Sequence, residues 1–243
     1  MFHTLNCVGS TNNYAMAKVH AGLAKHGMAW FAHDQTAGKG QQGKTWEAVA
    51  GQNIVLSIII QPDKCFFQKQ FLFNAAIATT CYDFFKDLAG DETSIKWPND
   101  IYWRDRKAGG ILIENKVMGK SWNWAVVGIG ININQLVFKD ELLNPVSLKQ
   151  ISGKDHEPLE LARKLHKKII RGIDAVTEIK FPAIMKYYNE HLFQRSNIVR
   201  LRKDNVVFET CIKEVNSFGQ LLTEDSLERE FSFGEVQWVV ESS

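Results

Sequence analysis

The 243-residue sequence holds four cysteines, Cys7, Cys65, Cys81 and Cys211, with no CxxC pair and no zinc-ligand spacing to a histidine. Its histidines, His3, His20, His26, His33, His156, His166 and His191, make no metal triad by spacing either. So few scattered thiols read as reduced residues, which suits the cytoplasm and argues against a disulfide scaffold. An excess of one charge is also missing. With 29 Lys+Arg against 27 Asp+Glu the net charge is +2, so no global field draws the chain to nucleic acid or to an anionic membrane. A local lysine cluster would vanish in that sum. Apolar runs such as Ile54–Ile60 are far too short to cross a bilayer, and Met1-Phe2-His3-Thr4-Leu5-Asn6 lacks the form of a signal peptide.

What remains is an ordinary globular composition, 45% hydrophobic and 23% charged, long enough for one sizeable α/β domain with a small appendage or for two modest domains. Ser10 or Thr11 can cap a helix running from Tyr14 to Lys25. Ala29–Ala32 and Asn53–Ile60 read as buried strands, and Phe66 to Leu88 as a long helix with one broad apolar face. Strands are expected at Ile95–Trp97, at Ile111–Ile113 with its flanks, and from Trp122 to about Ile131. Pro98-Asn99-Asp100 is a turn into a short extended piece, Ile101–Trp103. Glu157–Ile173 and Phe181–His191 read as helices, the first with Pro158 at its start. Beyond Gln194–Asn197 the texture changes to short β runs: Ile198–Leu201, Val206–Val215, Leu221–Leu222 and Val236–Val240. These predict a small barrel-like domain over 198–243, after a first domain over 1–194.

Four segments carry chemistry. In Gln35 to Trp46, three glycines (Gly38, Gly40, Gly43) allow close backbone approach, and Lys39 and Lys44 offer charge to phosphate. Gly38 to Thr45 also matches a Walker loop, but the sequence runs quickly into a strand and leaves no room for the phosphate-binding helix. In Ser94 to Ile101, Lys96 on a buried strand is costly unless it meets an anion or reaches solvent at the strand end. In Arg106 to Glu114, Gly109-Gly110 open a strand to a ligand just after Lys107, although a solvated hairpin end explains them equally well. Gly128 to Asn134 suits a strand showing Asn132 and Asn134 on its polar face, or a turn.

Taken together and in this order, Ser10-Thr11-Asn12, Gly38–Trp46, Lys96-Trp97-Pro98-Asn99-Asp100, Lys107–Glu114 and Gly128–Asn134 resemble the motifs of the biotin–protein ligases. The resemblance spans nearly the whole chain, and Lys-Trp-Pro-Asn-Asp is its most specific element. It implies an α+β fold: a mixed or antiparallel central sheet with flanking helices, as in the class II synthetase-like catalytic domain, plus a small C-terminal SH3-like β-barrel. It also implies the short monofunctional type, because no DNA-binding winged helix precedes the first motif.

The activity implied is ATP-dependent formation of biotinyl-5'-AMP, with Mg²⁺, and transfer of biotin to a lysine of a biotin carboxyl carrier domain. By that resemblance Ser10, Thr11, Asn12 and Gln35 surround the ureido ring, and Gly38, Lys39, Gly40 and Gln41 fold over biotin and the phosphates. Lys107 meets the biotin carboxylate and the α-phosphate, Lys96 supports the same anionic region, and Gly109 and Gly110 line the biotin wall. Trp46, Asn99 and Asn132 help to form the adenine and ribose site; metal ligands are not assigned. One departure is clear. The family loop is commonly arginine-rich, whereas this one has Lys39, Gln41, Gln42 and Lys44, hence fewer guanidinium forks on phosphate.

Trp30, Trp103, Trp122, Trp124 and Trp238 read as core or interface packing, and Arg163, Lys164, His166, Lys167, Lys168 and Arg171 as the solvated face of a helix. The strand around Trp122–Val127 offers a place for a homodimer to pair. Two rivals stand beside the main reading: a lipoate–protein ligase or octanoyltransferase of the same fold, and a non-catalytic biotin-binding module. Lys-Trp-Pro-Asn-Asp speaks against the first, and the retained Lys96 and Lys107 against the second.

Overall fold

The computed structural model describes residues 1–119, 121–139 and 144–239. A seven-stranded sheet forms its centre, in the order β1-β2-β3-β7-β6-β5-β4. The strands are β1 (Phe2–Val8), β2 (Ala29–Gln35), β3 (Asn53–Ile60), β4 (Thr93–Lys96), β5 (Asp100–Trp103), β6 (Arg106–Met118) and β7 (Ser121–Asn132). Only β1 and β2 run parallel, joined through helix α1 (Thr11–His20); the other pairs are antiparallel, so the sheet is mixed.

The period-2 alternation of strand side chains divides β3 between two layers. Ile54, Leu56, Ile58 and Ile60 join the main core, which α2 (Gln70–Ala89) and α4 (Pro158–Asp174) cover. Ile59 packs on the other face with Ala15 and Val19 of α1, Trp30 and Val126. The segment lacks polar alternation because both faces are covered.

α4 buries Leu161, Leu165, Ile169 and Ile173 at helical spacing, and Pro158 occupies its first turn, where a missing N–H costs nothing. Its basic side is only partly solvated. Lys164, Lys167 and Arg171 are exposed, but His166 Nε2 lies 2.9 Å from Gly27 O, Lys168 pairs with Asp87 at 2.8 Å, and Arg163 stacks on Phe2. Short helix α3 (Leu148–Ser152) carries a capping box from Ser147 and Gln150, and α5 is Phe181–Glu190.

A second, five-stranded antiparallel sheet has the order β11-β10-β9-β8-β12: β8 (Ile198–Lys203), β9 (Val206–Val215), β10 (Leu221–Glu224), β11 (Glu228–Phe231) and β12 (Gln237–Trp238). Leu201, Ile212, Val215, Leu221, Phe231 and Val236 belong to the same continuous core as the central sheet. Trp97 Nε1 donates to Gly219 O at 2.9 Å, and Phe233 packs edge-on to Trp97. The two sheets therefore share an interior.

Several elements differ from expectation. α1 ends at His20 rather than Lys25, because the backbone turns at Ala21 and takes a left-handed Gly22. The long helix starts at Gln70: Lys64–Phe66 form a separate 3-10 turn, and Gln68 sits at φ 64°. β1, β11 and α3 went unpredicted. The last strand covers Gln237–Trp238 and not Val236, while Val240 lies outside the described residues. Among the described residues no helix is long and apolar enough to cross a membrane.

Candidate active site

The site grows from the α1 face of the sheet. Ser10 is the N-cap of α1, accepting from Asn13 N at 3.4 Å, and so places Thr11 and Asn12 in the first helical turn. Gln35, at the end of β2, accepts from Thr11 N at 2.9 Å and from Thr11 Oγ1 at 3.1 Å. Below them Ser57 Oγ lies 2.8 Å from Thr11 Oγ1 and 2.6 Å from Asn12 Oδ1. Asn12 Nδ2 donates to Glu114 Oε2 at 2.9 Å, which sets its amide orientation. Thr11, Asn12 and Ser57 are all buried, so this is a fixed polar floor rather than a wet surface.

Gly128 and Gly130 make room for it. A Cβ on Gly128 would fall inside the side chain of Asn12, and one on Gly130 inside the indole of Trp46. Two side chains thus rest on bare backbone of β7. Position 110 faces the same cleft, where a Cβ would meet Asp100 Oδ1 at 3.1 Å and Lys107 Nζ at 3.5 Å. Position 109 points the other way, since its Cβ would meet Ile131 Cγ1 at 3.1 Å on the core side.

The glycine-rich stretch folds as a small hairpin over the floor. Trp46 N donates to Gly38 O at 3.0 Å and Gly40 N to Lys44 O at 2.6 Å, while Lys39 and Thr45 form an antiparallel bridge. Gln41–Gly43 is a single 3-10 turn with Gln42 at φ 52°. No helix follows before β3, which rules out a Walker loop. Lys39 Nζ stands 3.8 Å from Glu114 Oε1, tying the hairpin to β6. A Cβ on Gly234, in the turn between β11 and β12, would fall on Gln42 Nε2. Among the described residues, Trp46 Nε1 and Gln41 Oε1 are buried without a hydrogen-bond partner. Such orphans are costly until a ligand pairs with them.

Cations converge at the far end of the cleft. Lys107 Nζ donates to Asp100 Oδ2 at 2.7 Å, both half-buried. Lys96 Nζ donates to Tyr102 Oη at 3.1 Å, and no carboxylate oxygen of the described residues lies within 4.0 Å of it. Burial pushes the Lys96 ammonium down to about 8; Asp100 opposes the shift, whereas Lys107 and Lys44 add to it. Because the unfolded chain holds this proton more tightly, stability should rise with pH between about 8 and 10.5. Lys96→Met should remove that share of the rise. Denaturant melts should therefore show a variant-minus-wild-type gap that narrows across the window; a constant gap contradicts this origin.

Other expected residues serve the scaffold. Asn99 Nδ2 bonds Ile111 O, and Asn132 Nδ2 donates to Val146 O at 3.2 Å, so both amides are engaged within the fold. Asn134 is tied to His156 by reciprocal bonds of 2.7 and 3.0 Å. Sequence reasoning missed Ser57, Glu114 and Asp100 as site residues. Ser57 had a signal, the one hydroxyl inside the apolar run of β3. Among the described residues no cluster of three or more His, Cys, Asp or Glu could hold a metal. A magnesium ion bound chiefly through substrate phosphates needs no such cluster.

Residues 4–132 match the biotin/lipoate A/B protein ligase family. The bifunctional ligase/repressor BirA of Bacillus spizizenii is 37% identical over 133 residues, which covers 54% of this chain and 41% of the relative. The biotin–[acetyl-CoA-carboxylase] ligase of Paracoccus denitrificans is 36% identical over 128 residues, 51% of each chain. The chain thus spans about half the length, or less, of these curated relatives. The fold resembles that of a biotin protein ligase from Aquifex aeolicus, solved with biotin and ATP, at a TM-score of 0.80 and 24% identity over 97% of both chains.

Proposed function

This chain belongs to the biotin/lipoate A/B protein ligase family, and from that premise we propose that it is a biotin–protein ligase that consumes ATP. The observation that carries this reading is the placing of Lys96 and Lys107 around Asp100 on the sheet face whose other part is the Thr11–Asn12–Ser57 floor. A buried ammonium with a second cation nearby is an unfavourable arrangement until an anion joins them. The floor gathers acceptor oxygens from Gln35, Thr11 and Asn12, which suit the N–H groups of a ureido ring.

In the first step a biotin carboxylate oxygen attacks the α-phosphorus, the bond to the β-phosphate bridging oxygen breaks, and pyrophosphate leaves. Two anions must meet, and Lys107 reduces that repulsion most as charge grows on the non-bridging oxygens. To do so its ammonium turns from Asp100 towards the substrate. Mg²⁺, when bound, would accompany the triphosphate and neutralise the leaving group. In the second step a neutral lysine amine of a biotin carboxyl carrier domain attacks the acyl carbon; an amide forms, AMP leaves and the amine sheds its proton.

Ser10, Gly38, Gly40 and Gly110 shape the biotin side, and Trp46 with its unpaired Nε1 and Gln41 face the bound substrates. We assign Gly109 to the wall through its backbone only, and Asn99 and Asn132 to supporting the adenine and ribose side. Residues 1–194 and 198–243 form the two domains in this reading, and the protein acts in the cytoplasm. A homodimer would use Ser121–Trp124 of β7, which extend past the last β3 partner pair, Ile60 with Ala125. Sedimentation that stays monomeric at every concentration removes that element.

The test is ATP-dependent transfer of labelled biotin to an apo carrier domain, with lipoate in a parallel arm. Transfer of lipoate alone would make the chain a lipoate ligase, and binding of biotin with no adenylate in a single turnover would make it a binding module. The hairpin gives a second measurement. Lys39 and Lys44 are exposed and the hairpin rests on few internal bonds, so trypsin should cut there readily. Biotin plus ATP should slow this cleavage strongly; equal rates would remove the lid role.

A further inference from the structure

The cleft described so far belongs to the central sheet, yet one wall of it comes from elsewhere. Lys96 Nζ lies 4.5 Å from the ring centroid of Tyr102, 5.5 Å from that of Phe193 and 5.0 Å from that of Trp238. These rings also touch one another, with centroids 5.1 Å apart for Tyr102 and Phe193 and 5.7 Å for Phe193 and Trp238. Tyr102 belongs to β5. Phe193 follows α5 and is pinned to the sheet edge by its N–H to Ile95 O at 2.8 Å. Trp238 belongs to β12, held against β8 through Leu201. Three segments distant in sequence thus enclose a single ammonium.

We propose that Trp238, carried by the second sheet, is a positioning residue for Lys96: with Phe193 and Tyr102 it boxes the ammonium and presents it, without a carboxylate partner, to the triphosphate of ATP. The physical difference from Lys107 is direct. Lys107 must exchange Asp100 for the substrate, whereas Lys96 exchanges aromatic faces and one phenol oxygen. Ring quadrupoles hold a cation in place yet compete weakly with phosphate. The charged or titratable groups acting on Lys96 are Asp100 and Tyr102 from β5, Lys107 from β6 and Lys44 from the hairpin. Phe193 and Trp238 add only apolar surface and π-electrons, so removing Trp238 admits water without deleting a charge. The inference rests on the ATP-using reading above.

Two measurements on the full chain test it. In the first, lysine side-chain carbons are labelled and titrated by NMR, the Lys96 signal being identified by its loss in Lys96→Arg. Wild-type Lys96 should titrate near 8, and Trp238→Ala should move it towards 10.5, while Trp238→Phe stays close to wild type. In the second, biotin-dependent pyrophosphate exchange is followed against ATP. Trp238→Ala should raise the KM for ATP on the order of tenfold, with the KM for biotin unchanged and Trp238→Phe restoring most of the loss. Trp238→Leu keeps apolar bulk for packing and guards against an unfolded alanine variant; it too should raise the KM for ATP. A folded Leu or Ala variant with wild-type KM for ATP overturns the proposal, and so does a Lys96 titration that Trp238→Ala leaves in place. Wild-type protein that exchanges no pyrophosphate would instead sink the ATP-using reading, leaving the NMR titration to decide whether the box exists.

Discussion

Lys107→Met should lower biotin-dependent pyrophosphate exchange on the order of a hundredfold to a thousandfold, the result of losing about 2.7–4 kcal/mol of preorganised electrostatic stabilisation. Methionine keeps most of the stem volume, and Lys107 is half-buried at the edge of the cleft rather than in the core, so the fold should survive. The structure adds a control. Deleting Lys107 leaves Asp100 without the ammonium 2.7 Å away, and that bare carboxylate would itself repel substrate anions. Lys107→Met combined with Asp100→Asn should therefore recover part of the loss without reaching wild type. Transfer from pre-formed biotinyl-adenylate should suffer less, since the first meeting of two anions is already past. A folded Lys107→Met protein that exchanges pyrophosphate at the wild-type rate removes Lys107 from its role and makes Lys96 the next candidate.

The second large effect is expected from a single methyl group. Gly130→Ala places a Cβ where the Trp46 indole now lies, so the ring has to move off β7. Overpacking of this kind costs roughly 1–3 kcal/mol. Here the strain falls on the side chain that the proposed function turns towards the nucleotide, and its Nε1 is already buried without a partner among the described residues. Affinity for ATP should fall about tenfold to a hundredfold, with 1.4 kcal/mol per factor of ten. Global stability should change less than that, because the hairpin can peel away from the sheet while the helix-covered face stays intact. Calorimetric titration against a thermal melt separates the two. Unchanged nucleotide affinity in a well-folded Gly130→Ala protein would show that Trp46 does not line the site.

Much of this architecture was legible where local pattern and tertiary role agree. Asn53–Ile60 is apolar enough to be a strand buried on both faces, and it is β3 residue for residue. Lys107 lies beside Gly110, and Asn12 rests on Gly128 of the neighbouring strand. What escaped depends on contacts that no local window contains. β1 is an edge strand with little alternation, formed because β2 offers it a parallel partner. β11, Glu228–Phe231, is charged at three of its four positions and becomes a strand only beside β10. Gly128 looked like part of an alternating strand, but its reason is the amide of Asn12, more than a hundred positions earlier. The opposite directions of Gly109 and Gly110 follow from the pleat, which a pair of glycines cannot reveal by itself.

The shared interior of the two sheets also has a meaning in time. A chain is made from its N-terminus, and segments fold as they emerge. When Phe193 leaves the ribosome the hairpin, α1 and every strand of the large sheet have been made, yet Gly219 O, the acceptor of the Trp97 indole, has not. Nor has Gly234, which backs Gln42 at the tip of the hairpin. The cleft therefore receives its last supports only when the closing strands arrive. A nascent chain should gain these two contacts only after Gly219 and Gly234 have been translated.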